Sequence, residues 1–425
     1  MIAQSPFMVV APVRSDRADE LRALLATMND LPGMADPANA LVPFGRFEHL
    51  HVARFVILDD LLTAEPLPAR LPIYLAFLGD CDGEGDAMLV ALADQAAPGL
   101  CHIFSHCEGF DGKAPLLDWM RSRNVDPAVE YVNWVGRTVR QVREEDALHA
   151  ALSAHLRSAD EKSHTESSRA IRERLIAAVK RDGLKLSDPD PTPLDWQVRQ
   201  ILHGIWALFA GTVALVLFIP YAPFFFWQLR RKEKSDAVFA SRPDPAHVKS
   251  LAVREDHYVS NSFSAIGSVK PGLFRLLTLR FIFWVIANST RHIYTRGKLA
   301  RVGTIHFARW VFLDDRRRLF FGSNYDGSLD SYMDDFINKV AFGLNLVFSN
   351  GIGYPHTDFL INAGAKDERA FKNYIRRHQV PTDVWYKAYP GLTTFDLARN
   401  TRIRDGFVRE SMEDEEIREW LALIQ

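Results

Sequence analysis

The ten residues His51-Val-Ala-Arg-Phe-Val-Ile-Leu-Asp-Asp60 return as His306-Phe-Ala-Arg-Trp-Val-Phe-Leu-Asp-Asp315, 255 positions further on. A repeat constrains architecture before any single residue does. Working outward, the spacing shortens to 244: Asp82-Gly83 matches Asp326-Gly327, Asp86 matches Asp330, and Gly99-Leu100 matches Gly343-Leu344. Phe104-Ser105 then matches Phe348-Ser349, and Gly109 matches Gly353. The spacing returns to 255 for Arg121 and Arg376, Val125 and Val380, Tyr131 and Tyr386, Gly136 and Gly391, Thr138 and Thr393. So many matches in one order identify a tandem duplication.

Periodicity gives each copy the same elements. In the first, Phe7–Pro12 is an apolar strand and Asp16–Met28 a helix with Leu21, Leu24 and Leu25 on one face. Leu50–Leu58 and Ile73–Leu78 read as strands, Asp86–Ala96 as a helix and Leu100–Ser105 as a strand. The second copy reads likewise: strand Phe263–Val269, an apolar helix opening at Pro271, strands His306–Leu313 and Leu319–Phe321, helix Leu329–Val340 and strand Leu344–Ser349. A further helix (Asp367–His378) and strand (Val384–Tyr389) complete the copy. The order strand-helix-strand-strand-helix-strand is the ferredoxin-like split βαβ unit.

On that element order and duplication the chain resembles the dimeric α+β-barrel superfamily. The implied fold class is α+β: two tandem ferredoxin-like units forming a pseudo-dimeric α+β barrel, with an inserted hydrophobic membrane helix. The expected divisions are 1–150 for the first unit, 151–193 for an exposed charged helix and linker, 194–235 for the hydrophobic segment with its basic flank, 250–410 for the second unit and 411–425 for a C-terminal helix. The His-Phe-Ala-Arg-Trp and Ser-Asn-Tyr-Asp-Gly strings (from His306 and Ser323) are also similar to those of an uncharacterised bacterial membrane-associated family.

Between Arg199 and Arg230 there is no Asp, Glu, Lys or Arg. About 20 apolar residues suffice for a helix to cross a bilayer, so the run from Ile201 to Ile219 is long enough. Thr192-Pro193 is expected to open the helix and Pro220 and Pro223 to break it. Phe224–Trp227 form an interfacial aromatic patch, and Arg230, Arg231, Lys232 and Lys234 suit an anionic cytoplasmic leaflet. A second apolar helix, 273–290, carries Arg275 and Arg280, which favours an interfacial position with both arginines snorkelling to headgroups. Two halves of one barrel must share one side of the membrane, so the expectation is monotopic attachment. The apolar start Phe7–Val10 is too short for a signal sequence, which points to cytoplasmic halves.

The 425 residues are 48% hydrophobic and 24% charged, which excludes a disordered or collagen-like chain. With 51 basic and 53 acidic side chains the net charge is −2, arguing against nucleic acid as a partner. Three cysteines do not make a disulfide framework.

No phosphate loop, zinc-protease or nucleophile-elbow motif occurs in the chain. Four weaker constellations do. The first is the duplicated His51/Arg54 and His306/Arg309. Alternation puts His306 with Ala308 and Trp310 on one strand face and Arg309 with Val311 on the other. An arginine among apolar residues needs a carboxylate or a ligand, and the pairs Asp59-Asp60 and Asp314-Asp315 stand at the strand ends. The alternative is that both copies keep these residues because both need them to fold. The second is Gly79-Asp-Cys-Asp-Gly83, which resembles the Gly-x-x-Asp-Gly string of dye-decolorising haem peroxidases. That resemblance implies haem as cofactor and Asp82 on its distal side; the second copy, Gly322-Ser-Asn-Tyr-Asp-Gly327, is one residue longer. The third is Cys101-His-Ile-Phe-Ser-His-Cys107, whose metal-capable side chains divide between the two faces of a strand, so no metal is expected. The fourth, Tyr354-Pro-His356 with Trp385-Tyr-Lys-Ala-Tyr-Pro390, could line a barrel mouth.

The expected function is binding or modification of an apolar or lipid-derived small molecule reached from membrane lipid. His306, Arg309, Asn324 and Asp326 are its expected polar groups, with His51, Arg54 and Asp82 their counterparts. A haem-dependent peroxidase-like oxidoreductase and a non-enzymatic membrane scaffold are the alternatives.

Overall fold

The computed structural model describes residues 3–59, 72–158, 166–188, 192–239 and 241–425. The first half runs β1 (Gln4–Pro12), α1 (Ala18–Ala26), β2 (Leu50–Leu58), β3 (Tyr74–Asp82), α2 (Gly85–Gln95), α3 (Ala97–Phe104), α4 (Leu116–Ser122), β4 (Val129–Val132), α5 (Val139–Ser158) and α6 (Ser168–Arg181). Two helices, α7 (Leu194–Ser235) and α8 (Pro245–Ala252), lead to the second. That half runs β5 (Ser260–Ser268), α9 (Leu273–His292), β6 (Ile305–Leu313), β7 (Arg318–Asp326), α10 (Leu329–Phe348), α11 (Glu368–His378), β8 (Val384–Lys387), α12 (Thr394–Val408) and α13 (Asp414–Ile424).

The chain is a mixed α+β protein with two main sheets. The first has the order β1-β3-β2-β8, extended beyond β8 by a short hairpin of Asn29–Leu31 and Met34–Ala35. The second has the order β4-β6-β7-β5. Each sheet therefore borrows one strand from the other half. Strand β8 pairs antiparallel with β2, setting Trp385 opposite Arg54, and β4 pairs antiparallel with β6, setting Glu130 opposite Arg309. Strand β8 also runs parallel to the Met34–Ala35 strand, which makes the first sheet mixed. The halves are joined by exchanged backbone hydrogen bonds as well as by packing.

The outer face of the first sheet packs Phe7, Phe55 and Phe77 on Leu21, Leu89 and Phe104 of the helices. The outer face of the second packs Trp310 and Phe321 on Phe283, Met333 and Phe371. The inner faces meet each other: Met8, Val56 and Leu78 against Ile266, Val311 and Phe320. The expected ligand-enclosing barrel interior is thus filled by side chains. A cavity of about 10 Å³ remains between the sheets, at the lower limit for one water.

Two expected strands are helices. Leu100–Ser105 lies on α3, and Leu344–Ser349 forms the end of α10 and its cap. Buried Leu100, Ile103 and Phe104 follow helical spacing, and Pro98 stands in the first turn; a short apolar run fits both periods, and tertiary packing decides. The segment expected as exposed helix and linker is partly internal. Leu175 and Val179 of α6 are buried with Leu148 and Leu152 of α5, Ile403 of α12 and Trp420 of α13, in a four-helix group built from the end of each copy. Residues 189–191 of the Asp188–Pro193 run lie outside the described residues.

Helix α7 is long and apolar enough to cross a membrane, consistent with membrane association. It does not break at Pro220 and Pro223. Each proline removes one i to i−4 bond, and the bonded turns on both sides carry the helix through. Helix α7 is about 63 Å long at 1.5 Å per residue, and its part from Gln200 to Phe225 lies antiparallel on the shorter α9. Gln200 Oε1 accepts from Arg291 Nε at 2.7 Å, His203 Nδ1 lies 2.9 Å from His292 Nε2, and the Phe225 and Phe274 rings are 5.3 Å apart. The stripe of α7 that faces inward is rich in small residues (Gly204, Ala207, Ala210, Gly211, Ala214, Ala222), which lets two apolar helices approach closely. At the far end Glu233 is buried, accepting from Thr357 Oγ1 at 2.9 Å and Leu360 N–H at 2.9 Å. Asp236 is held by Lys270 Nζ at 2.8 Å and by Arg275. Arg275 is therefore buried in an ion pair and does not snorkel, whereas Arg280 is exposed. Ile201, Trp206, Leu208, Phe209, Leu217 and Trp227 of α7 remain exposed, and beside them lie Leu273, Leu277 and Phe281 of α9.

Candidate functional site

The duplicated histidines interrupt the alternation of their strands. The register of β2 on β3 shifts between Leu50 and Val52, and that of β6 on β7 between Ile305 and Phe307, so His51 and His306 are each the extra residue of a β-bulge. A bulge re-aims its side chain. His306 consequently leaves the expected Ala308–Trp310 face and turns to Asp326, whose Oδ1 accepts from Nε2 at 2.7 Å. His51 Nε2 donates to Asp82 Oδ1 at 2.9 Å. The other carboxylate oxygen of each aspartate caps a helix: Asp82 Oδ2 accepts from Val139 N–H of α5, and Asp326 Oδ2 from Thr394 N–H and Oγ1 of α12.

These two histidine–aspartate pairs converge on Tyr389. Its hydroxyl donates to His51 Nδ1 at 2.8 Å, and its ring centre lies 6.4 Å from that of His306. Lys387 reaches in from β8, donating to Ser260 Oγ at 2.6 Å and Leu392 O at 2.7 Å, with His306 Nε2 at 3.3 Å. Burial pushes the Lys387 ammonium down to about 8, against the pull of Asp326 and Asp396. Burial also lowers the His306 imidazolium, which Asp326 partly restores, while contacts with His306 and Lys387 hold the Asp326 carboxyl low despite its burial. The free space beside this cluster is about 20 Å³, room for one water.

The duplicated arginines cross between the sheets reciprocally. Arg309 of the second sheet donates to Phe7 O at 2.9 Å and Gly79 O at 3.0 Å and forms an ion pair with Asp80 in the first. Arg54 of the first sheet donates to Phe263 O at 2.7 Å, Ser323 O at 2.9 Å, Ser264 Oγ at 3.1 Å and Asn324 Oδ1 at 2.6 Å in the second. The expected partners at the strand ends are not used: Asp59 pairs with Arg22, Asp314 with Arg318 and with Tyr74 OH, and Asp60 lies outside the described residues. Burial and the neighbouring Arg309 push the Arg54 guanidinium down to about 9.

All seven expected site residues are therefore brought into the space between the sheets, where they are buried and internally hydrogen-bonded. Among the described residues, none of them lines an opening large enough for a ligand. A large opening lies at one edge, where β1 of the first sheet and β4 of the second form a mouth. Here a groove of about 910 Å³ is bounded by Gln4 and Ser5 of β1, Glu130 and Val132 of β4, the first turns of α7 around Trp196, and the end of α9 around Ala287 and Arg291. Gln4 and Val132 also border the small space beside His51, His306 and Tyr389, so the groove adjoins the histidine cluster.

Glu130 is one of three carboxyls that line this groove, with Glu84 and Asp195, and the one on a strand of the second sheet. It faces the inter-sheet space opposite Arg309, and its Oε1 is buried without a hydrogen-bond partner among the described residues. Burial first, then the nearby Asp80, pushes it up to about 8 against the pull of Arg309. The sequence reading did not select Glu130 or Asp80, although Asp80 lies inside the quoted Gly79–Gly83 string. Lys387 and Tyr389 were legible only as part of the aromatic run. The duplication held a usable signal: Glu130 stands where the second copy has Trp385, and Asp80 where it has Asn324.

The Cys101–Cys107 cluster sits largely on α3, with Cys107 buried and its thiol pushed up to about 12 by burial. Haem, implied by the peroxidase resemblance, does not fit the described residues. The Asp82 carboxylate is occupied by His51 and Val139, the inter-sheet space admits one water, and no His, Cys, Met or Tyr lines the groove. Compared with family models, curated proteins and solved structures, the chain matches none.

Proposed function

We propose that this chain is a membrane-attached protein of two ferredoxin-like units, with cytoplasmic halves, that binds or modifies an apolar or lipid-derived small molecule. The observation carrying the reading is the position of the groove: it opens where the charge-free helix α7 and the apolar helix α9 meet the mouth between the sheets. Its volume lies at the upper end of the range of small-molecule sites, about 300–1,000 Å³. The strand orders support two ferredoxin-like units. Beside β1, the chain at Asn124 bridges Val9, and beside β5 the chain at Gln379 bridges Ala265, which supplies the short fourth strand each unit needs. Monotopic attachment is favoured over spanning because both ends of α7 are tied to the same half, and the exposed faces of α7 and α9 form one apolar surface.

Flotation of the full chain with vesicles, followed by native mass spectrometry of the detergent-extracted protein, tests this. The reading expects co-flotation, both termini on the protease-accessible side of sealed vesicles, and a retained apolar molecule. A chain that stays with the soluble fraction and carries no such molecule would contradict it.

A further inference from the structure

The two sheets close on each other at two edges, related by the duplication. At the first, β1 faces β4; at the second, β5 faces β8. Register makes the residues equivalent in pairs: Gln4 with Ser260, Glu130 with Trp385, Val132 with Lys387. At the second edge Trp385 is fully buried and donates from Nε1 to Asn324 Oδ1 at 2.9 Å, and Lys387 crosses to Ser260, so the mouth is plugged. At the first edge the plug is missing. A carboxyl takes the indole's place, and its orphaned Oε1 belongs to a side chain that lines the groove.

An orphaned buried polar atom destabilises the fold unless something bonds it. The remaining walls define what that partner is attached to. Ala128, Val132, Val135 and Ala287 make an apolar part, with Trp196 as an aromatic wall, while Glu84, Asp195, Arg199, Arg291 and Arg296 are charged groups of the same lining. Arg199 and Arg291 also line the groove, and the charge-free part of α7 begins directly after Arg199. The apolar part of these walls gives a molecule bonded at Glu130 a place to lay an apolar body.

We propose that the β1/β4 mouth binds a single-chain amphiphile with a neutral hydroxyl or carboxylic head, the head hydrogen-bonded to Glu130 and the chain lying along the apolar part of the groove beside the packed helices α7 and α9. This rests on the membrane reading above and assigns it a ligand class and a ligand-binding residue. Arg309 and Asp80 lie behind Glu130 and fix its charge environment; they take no part in holding the chain.

The test uses full-length protein in detergent micelles and a brominated stearyl alcohol, whose bromines quench nearby indoles. Trp206 and Trp227 on the exposed face of α7 are quenched by any amphiphile, so the reading is the difference between the native protein and the Trp196→Phe variant. The proposal expects a saturable difference signal and at least ten-fold tighter competition by oleyl alcohol than by octadecene. Glu130→Leu should abolish that head preference. Glu130→Trp, which copies the plugged mouth, should weaken binding at least ten-fold. Ala287→Trp fills the groove from its outer wall without entering the sheets and should do the same if Glu130→Trp fails to fold. Saturable quenching that survives Ala287→Trp, or equal competition by the two chains, overturns the proposal. If only Trp206 and Trp227 are quenched, the site is wrong while membrane attachment stands; if nothing is quenched, both fail.

Discussion

The two copies use the same scaffold to opposite ends. Their duplicated histidines occupy matching bulges, their aspartates cap matching helices, and their arginines reach across to matching carbonyls. The residues around these fixed points have diverged. One arginine centre is acidic, with Asp80 and Glu130 beside Arg309; the other is neutral, with Asn324 and Trp385 beside Arg54. The neutral centre is plugged, and the acidic one opens onto the groove. What both copies share is buried and internally bonded, and Glu130, which they do not share, lines the groove.

Four experiments can break or sharpen this comparison. The largest effect should come from separating the copies. Each sheet lacks a strand without the other half, so residues 1–193 expressed alone should remain unfolded by circular dichroism, and co-expression with 194–425 should restore the fold. A well-dispersed spectrum from residues 1–193 alone would break the exchanged-strand description.

The next effect contrasts the arginines. Arg309→Ala strands the buried Asp80 carboxylate and should cost about 3–5 kcal/mol. Arg54→Ala removes hydrogen bonds to neutral acceptors and should cost less, about 1–3 kcal/mol, since burial already penalises that guanidinium. Urea midpoints of the two variants check the order; equal losses would erase the distinction between the centres.

The mouths should also respond to pH with opposite slopes. Glu130 binds its proton more tightly folded than unfolded, so its contribution to stability falls as pH rises from about 4.5 to about 8. Lys387 binds its proton less tightly when folded, so its contribution rises as pH goes from about 8 to about 10.5. Melting temperatures across this range should lose the first slope in Glu130→Gln, where Asp80 and Arg309 remain as charged neighbours, and the second in Lys387→Met. Unchanged slopes in both variants would show that neither group titrates as its burial implies.

The smallest effect concerns α7. Gly211→Leu places a larger side chain against Trp284, whose ring atoms lie 3.4 Å from a built Cβ. Overpacking of this kind costs about 1–3 kcal/mol and should loosen α7 from α9, seen as faster protease cleavage near residue 200.

Much of this was legible in the sequence. The repeat located both copies and the strands around His51 and His306, and hydropathy located the charge-free helix and the second apolar helix at 273–290. The strand exchange was not legible, because β4 and β8 are four residues each and nothing in Val129–Val132 states which sheet it joins. The helices at Leu100 and Leu344 were missed because a short apolar run satisfies both periods. The bulges defeated strict alternation at the histidines themselves. The repeat singles out Arg54 and Arg309, which bond across the sheets, whereas Glu130, replaced by Trp385 in the second copy, carries no repeat signal.

One mouth is open and its duplicate is shut. The labelling rates of Gln4→Cys and Ser260→Cys variants compare the two directly, because these equivalent positions leave Glu130 and Trp385 in place. The background replaces Cys81, Cys101 and Cys107 by serine, and the reagent is a maleimide carrying an alkyl chain, applied to vesicle-bound protein. Rapid labelling at position 4, slowed by oleyl alcohol, and protection at position 260 are expected. Equal rates at the two positions, or protection at position 4, would contradict the open and shut assignment.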